Sequence, residues 1–187
     1  MRKLKLQMQI TVDGYVAGTK GELDWMVSDQ DHEFQEFYNS LVDSSDTILM
    51  GRKMTKEFVQ YWENVKPDSD EFSFAKKMID TPKIVFSKTV KSIAGKNIVV
   101  EDGNLTTVVN DLKKKKGKDL LVYGGAGFVS SLIKEGLIDE FNLFVNPVMI
   151  NDGMRIFDLL EKRQKLSLIS STAYDCGITV LVYKNQN

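Results

Sequence analysis

The 187-residue sequence contains one cysteine and one histidine, the residue types that metal sites and catalysis by side chains alone most often use. Cys176 is the single cysteine, so the chain can form neither an internal disulfide nor a cysteine-rich zinc site. His32 is the single histidine, so a Ser-His-Asp triad would have to use that residue, and a two-histidine metal site cannot be built. We therefore expect no bound metal, and we expect any chemistry to come from a cofactor.

Long apolar runs and an excess of one charge are also missing. No apolar run approaches the roughly 18 residues of a membrane-spanning helix, and the N-terminal segment alternates apolar and polar residues, unlike a signal peptide. Lys and Arg number 25 against 26 Asp and Glu, which predicts no broad basic face for nucleic acid. These features predict a cytoplasmic protein with neither membrane nor nucleic-acid partners.

The remaining composition is that of a globular protein. Hydrophobic residues make up 42% and charged residues 27% of the chain, and the length matches the usual size of one domain. No stretch is rich enough in glycine, serine or proline to act as a linker. We expect a single domain over residues 1–187.

Hydrophobic periodicity predicts strands that alternate with helices. The predicted strands are 4–10, 46–50, 83–87, 98–100, 120–123, 141–150, 166–172 and 178–183. The predicted helices are 30–42, 55–61, 69–78, 105–112 and 128–134. Because helices alternate with strands for most of the chain before strands take over, this order predicts an α/β fold with a mostly parallel sheet and an antiparallel C-terminal hairpin.

A glycine-rich segment follows one predicted strand and opens a helix. It consists of Gly124, Gly125, Ala126, Gly127 and Phe128. Without side chains, glycines let a ligand approach the backbone, and the N–H groups at a helix N-terminus attract anions such as pyrophosphate. A tight strand-to-helix turn without a ligand would have the same sequence, so both interpretations stand on these residues alone.

Two other strand ends also carry groups suited to phosphate. Gly51, Arg52 and Lys53 follow an apolar strand, in a chain with only 4 arginines but 21 lysines. Arginine offers a planar fork for phosphate, although an exposed cation at a helix start would look the same. Ser87 and Lys88 follow a third strand. Since ligands of open α/β sheets collect at the carboxyl ends of strands, the three segments together predict a dinucleotide with an additional phosphate.

The same segments resemble a known family. They are residues 11–17 (TVDGYVA), 50–53 (MGRK), 85–89 (VFSKT), 123–127 (YGGAG), 136–141 (GLIDEF) and 144–148 (FVNPV). Together, and in this order over nearly the whole chain, they resemble the dihydrofolate reductase-like superfamily. The closer similarity is to the reductase domain of the bifunctional riboflavin-biosynthesis deaminase/reductase and to its stand-alone relatives.

The resemblance implies a central sheet of about eight strands, helices on both faces, and an NADPH site across the carboxyl edge of the sheet. It also implies a homodimer paired through the C-terminal strands. Carried over by position, the cofactor contacts are Arg52 and Lys53 for the 2′-phosphate, aided by Ser87 and Lys88, with residues 124–128 around the pyrophosphate and Ala17 against the nicotinamide.

The sequence departs from this family near the substrate. Met54 stands where the family usually has threonine, and residues 57–62 lack the motif that binds a phosphosugar in the riboflavin-pathway reductase. Dihydrofolate reductase uses a helix carboxylate against its pterin, and Asp31, Glu33 and Glu36 lie in the corresponding helix without the spacing singling one out. Because the phosphosugar motif is missing, the resemblance does not carry over the sugar phosphate of the riboflavin-pathway substrate. What it implies as substrate is a small flat heterocycle of pterin or aminopyrimidine type.

Two residues of a glycine-flanked loop are the candidates for direct substrate contact. Asp24 is the acid best placed by its position close in sequence to the expected nicotinamide site, and Trp25 is either a wall of the substrate site or a packing residue. Several acids surround His32, so it is interpreted as an exposed residue at a helix start rather than as a proton donor.

Two hypotheses of function follow. The first is an NADPH-dependent reductase of a flat heterocycle. The second is a binding module that kept the fold and the nucleotide cleft but lost turnover.

Overall fold

The computed structural model describes residues 1–186, which form one eight-stranded sheet and five helices. The strands are β1 (Leu4–Thr11), β2 (Ser45–Gly51), β3 (Lys83–Phe86), β4 (Ile98–Glu101), β5 (Asp119–Gly124), β6 (Glu140–Asn146), β7 (Leu166–Ala173) and β8 (Thr179–Asn185). The helices are α1 (His32–Asp43), α2 (Arg52–Glu63), α3 (Phe72–Asp80), α4 (Leu105–Lys114) and α5 (Ala126–Lys134).

The strand order across the sheet is β4-β3-β2-β5-β1-β6-β8-β7. Strands β1 to β6 pair in parallel, whereas β8 runs antiparallel to β6 and to β7. The mostly parallel sheet with an antiparallel C-terminal hairpin is therefore confirmed. Since the first six strands point the same way, all their carboxyl ends lie along one edge, called here the carboxyl edge.

Helices cover both faces of the sheet because alternate strand residues point to opposite sides. One core packs α4 and α5 against apolar residues of the central strands, and Leu120 and Val122 of β5 belong to it. The other core joins α1, α2 and α3 to the opposite face, with Leu121 of β5 and Phe144 of β6 fully buried in it. Both layers thus depend on the alternation of apolar residues in β5.

Most element boundaries differ from those predicted by one to four residues; helix α3, for example, begins at Phe72 rather than at residue 69. Two of the differences concern the carboxyl edge. Strand β6 ends at Asn146 rather than at residue 150, because Pro147 has no N–H to donate to a neighbouring strand. Beyond it, the 148–151 segment bonds to the residues that follow β1 instead, for example through Val12 N–H to the carbonyl of Val148 at 2.9 Å. Helix α2 begins at Arg52, three residues before the predicted start, which places Arg52 and Lys53 in its first turn.

Within residues 1–186, no helix is both long and apolar enough to cross a bilayer.

Candidate functional site

Backbone from two strand ends meets at the middle of the carboxyl edge. Met50 of β2 pairs in register with Gly124 of β5. A Cβ atom on Gly125 would lie 3.3 Å from the Cα of Gly51, and one on Gly51 would lie 2.8 Å from the Cβ of Phe128. The strand ends therefore touch through glycine backbone, and the expected meeting of the glycine segment with the Gly51–Arg52 corner is present.

The turn between β5 and α5 requires glycine at two successive positions. Gly124 has φ +146° and Gly125 has φ +88°, conformations that residues with a Cβ rarely adopt. Gly125 is the N-cap of α5 and offers no side chain to its first N–H groups, which have no acceptor within the helix. The turn thus leaves bare backbone donors, with the positive end of the helix dipole, facing the carboxyl edge.

Arg52 and Lys53 occupy the first turn of α2, beside this glycine turn. Both side chains are exposed, and within residues 1–186 neither forms an ion pair or a hydrogen bond to another side chain. The N-cap of α2 is Gly51, which also has no capping side chain. Two cations and a second helix N-terminus are therefore available to an anion at this corner.

Ser87 and Lys88 lie beyond the end of β3 and are engaged within the protein. The Ser87 hydroxyl accepts hydrogen bonds from the N–H groups of Thr89 at 3.1 Å and Val90 at 3.2 Å. Lys88 donates through Nζ to the carbonyl of Gly103 at 3.0 Å and to that of Asp102. In this arrangement both side chains hold loops. Lys88 would have to exchange partners to assist Arg52, whereas Ser87 is the acceptor in both of its bonds to N–H groups and keeps its own O–H to donate.

At the start of α2, Met54 faces the glycine turn and Thr55 bonds within the helix. Thr55 is fully buried, and its hydroxyl donates to the carbonyl of Gly51 at 3.1 Å. The Met54 sulfur lies 3.0 Å from where a Cβ of Gly124 would be. The hydroxyl of Thr55 is thus used within α2. The position where the family usually has threonine holds Met54, whose thioether packs against the glycine turn.

Ala17 is fixed beyond the end of β1, the strand next to β5. It forms an antiparallel bridge with Met154, whose N–H donates to the Ala17 carbonyl at 2.8 Å. The same loop is held by Asp13, which accepts from the N–H of Asn151 at 2.8 Å. The hydroxyl of Thr11, with these backbone donors, holds the pKa of Asp13 below its ordinary value. Ala17 therefore presents a fixed, buried backbone at the carboxyl edge.

The loop that carries Asp24 and Trp25 is anchored by side chains that the sequence did not single out. Val27 N–H donates at 3.0 Å to the side-chain oxygen of Asn146, which is fully buried at the end of β6. The amide nitrogen of Asn146 donates in turn to Gln9 of β1 at 2.7 Å. Asp24 is exposed, whereas Trp25 is partly buried. The amide network ties this loop to the carboxyl edge.

Asp31, the N-cap of α1, is fully engaged within the protein, whereas Glu33 and Glu36 of this helix are exposed. Asp31 caps the helix by accepting from Phe34 N–H at 2.9 Å, and its second oxygen accepts from Cys176 N–H at 2.9 Å. These backbone bonds, led by that from Phe34, lower the pKa of Asp31. The His32 side chain is 83% exposed and lies 3.8 Å from Glu36. Asp31 is thus occupied structurally, and His32 is exposed as expected.

The sequence did not predict a contact between two tyrosine hydroxyls, one from α1 and one from the end of β5. The hydroxyls of Tyr38 in α1 and Tyr123 in β5 lie 2.7 Å apart. Burial raises the pKa of Tyr38 well above its ordinary value and that of Tyr123 to about 12. The available signal was the position of Tyr123 directly before the glycine turn.

Comparison with known proteins agrees with this architecture. YyaP of Bacillus subtilis strain 168 is 36% identical over 183 residues, covering 97% of this chain and 94% of YyaP. A protein from Shewanella sp. PV-4, whose name makes it a candidate for riboflavin biosynthesis, has a similar structure with TM-score 0.76, 24% identity and full coverage of both chains. Dihydrofolate reductase from Enterococcus faecalis, solved with NADP(H), has TM-score 0.65 and 11% identity over 99% of this chain and 97% of its own.

The family comparison covers nearly the whole chain. The model described as the RibD C-terminal domain matches residues 2–180, a range that includes the ends of strands β1 to β6. The chain belongs to the RibD C-terminal domain family and has the dihydrofolate reductase-like fold.

Proposed function

We propose that the protein is an NADPH-dependent reductase of a small flat heterocycle of pterin or aminopyrimidine type. The observation that carries this proposal is the contact between Gly51 and Gly125, which puts a guanidinium, an ammonium and a bare helix N-terminus at one corner. Membership of the RibD C-terminal domain family supports a reductase of the type found in riboflavin biosynthesis.

The residues at the carboxyl edge fit a dinucleotide phosphate. Arg52 and Lys53 would meet the 2′-phosphate, and the backbone of residues 124–127 would hold the pyrophosphate, where any Cβ on Gly124 or Gly125 would be strained. Ala17 would lie against the nicotinamide. NADPH supplies the hydride when bound, while the protein orients it and excludes water. The E. faecalis enzyme, of the same fold, is complexed with NADP(H).

The cofactor assignment is tested by titrating NADPH fluorescence against wild type and Arg52→Ala. Losing one charge-assisted phosphate contact is expected to weaken binding about 10- to 100-fold. Arg163→Ala is the matched control, since Arg163 is an exposed arginine far along the chain from this corner. NADH, which lacks the 2′-phosphate, should bind wild type and Arg52→Ala equally well. Equal affinity of wild type for NADH and NADPH would refute the assignment.

Turnover is tested by oxidation of NADPH with a panel of pterins and aminopyrimidines. The second candidate, an NADP(H)-binding module without turnover, is favoured by one observation: both oxygens of Asp31 are used for structure and His32 is exposed. Tight NADPH binding without oxidation by any panel member would support that candidate over the reductase.

We also propose a homodimer formed through the C-terminal strands. Strand β7 is the last strand of the sheet, and its adjacent Leu168 and Ile169 are 55% and 52% exposed. An edge strand with exposed apolar residues is a template for pairing with another chain. Light scattering at micromolar concentration should give twice the chain mass, and Ile169→Lys should lower it. A single-chain mass for wild type would rule the dimer out.

A further inference from the structure

We infer that Tyr123 donates a hydrogen bond from its hydroxyl to a carbonyl oxygen of the bound heterocycle, and that Tyr38 positions that hydroxyl. The inference rests on the proposed function, because it names a polar contact for the substrate of that same site. It starts from the 2.7 Å distance between the two tyrosine oxygens.

The two tyrosine hydroxyls together have one O–H donor more than their mutual hydrogen bond uses. Each phenol has a single O–H, and the contact between Tyr38 and Tyr123 consumes one of the two. Within residues 1–186, neither hydroxyl has any other hydrogen-bond partner. A hydroxyl proton in partly buried surroundings costs free energy unless it is satisfied, so the second O–H takes its acceptor from outside the chain, from solvent in the free protein and from a ligand atom in a complex.

The surroundings of the pair are aromatic rather than polar. The ring of Tyr123 meets Phe58 edge-on at 5.0 Å, and that of Tyr38 lies 5.4 Å from Phe74 and 5.8 Å from Phe144. No charged side chain competes for the spare proton in these contacts. A flat ring that brings its own oxygen acceptor has the chemistry to complete this environment.

The position of Tyr123 favours it as the residue that meets the ligand. Tyr123 directly precedes Gly124 at the carboxyl end of β5, whereas Tyr38 belongs to α1 and its hydroxyl lies 2.7 Å from that of Tyr123. Both side chains are partly exposed, so the pair is not sealed from solvent. Either oxygen can donate across the pair, and we assign the donation to Tyr38, which leaves the proton of Tyr123, next to the glycine turn, for the carbonyl.

The test measures binding to the protein saturated with NADP⁺, so that it does not depend on turnover. The probes are 5,6-diaminouracil, which has two ring carbonyls, and 2,4,5,6-tetraaminopyrimidine, a ring of the same size with none. Tyr123→Phe should weaken diaminouracil binding about 10-fold and Tyr38→Phe about 3-fold, by loss of one hydrogen bond and of its orientation. Tetraaminopyrimidine and NADP⁺ should bind both variants as they bind wild type.

Tyr61→Phe is the matched control, because Tyr61 is an exposed tyrosine of α2 whose hydroxyl is 3.5 Å from Glu71. It should leave every affinity unchanged. Equal weakening of both probes by Tyr123→Phe would indicate a purely structural pair and overturn the inference. So would unchanged diaminouracil binding, or no binding of diaminouracil to wild type.

The experiments distinguish failure of the proposed reductase function from failure of the tyrosine contact. If Tyr123→Phe weakens diaminouracil selectively but wild type oxidises NADPH with no heterocycle, the tyrosine contact stands and the reductase is refuted. If wild type turns over and Tyr123→Phe retains its kcat and KM, the reductase stands and the tyrosine contact is refuted.

Discussion

Replacing Gly51 with alanine tests whether the contact between the two strand ends shapes the site. The new Cβ would lie 2.8 Å from the Cβ of Phe128, a distance that real Cβ atoms essentially never show. The Cβ of Phe128 is fixed to its backbone, so a change of rotamer cannot relieve the contact. Gly51 itself has φ −80° and ψ 145°, which alanine adopts freely, so the whole cost is steric.

The expected magnitude combines two opposing effects. Overpacking of this kind costs about 1–3 kcal/mol, while alanine reduces the entropy of the unfolded chain by about 0.4–1 kcal/mol. The net loss in free energy of unfolding is then about 1–2 kcal/mol, or a fall in Tm of roughly 2–8 °C for a chain of this size. Since α5 must move away to relieve the contact, NADPH affinity should fall as well.

The assay is urea unfolding followed by circular dichroism, with NADPH titration at low denaturant. Gly127→Ala is the control for stability: Gly127 lies in α5, and a Cβ there meets nothing within 4 Å. That change should be neutral or stabilising by up to about 1 kcal/mol, as glycine is a poor helix former. If Gly51→Ala unfolds like wild type and binds NADPH equally well, the contact does not shape the site.

Two further predictions concern pH and capping. Burial lowers the pKa of Lys83 to about 8 from 10.5, so between these values the unfolded state holds more protons and stability rises with pH. Lys83→Met should lose that rise in urea unfolding series, whereas Lys56→Met, at an exposed position, should keep it. Two backbone N–H groups lower the pKa of Asp31, so its stabilisation is present above pH 4 and lost as the pH falls further. Asp31→Ala should lower the urea midpoint at pH 7 and flatten its acid dependence, unlike Asp29→Ala.

The fold could be predicted because its signals are local. Alternating apolar residues predicted β1 and the C-terminal hairpin, which the structure has as the antiparallel pair of β7 and β8. The β5–α5 turn was found because Gly124 and Gly125 sit between an apolar run and a helix. Such features depend on neighbours in sequence, so the sequence alone can reveal them.

The missed features depend on partners far apart along the chain. Tyr38 and Tyr123 are 85 residues apart, and Asp31 meets the N–H of Cys176 across 145 residues. Neither contact leaves a periodic or compositional pattern, because both follow from how α1 is laid on the sheet. The single domain, the cytoplasmic location and the individual roles of the site residues stay predictions.

The central place of β1 has a consequence for biogenesis. Strand β1, the first strand of the sheet along the chain, sits between β5 and β6, with Leu6 opposite Val122 on one side and Phe141 on the other. Its two partners are made more than a hundred residues later, so a ribosome-bound chain holds an apolar strand without neighbours until β5 and then β6 have been synthesised. Long-range parallel pairing of this kind slows folding and exposes the nascent chain to aggregation. Chaperone contact during synthesis should therefore centre on residues 4–11.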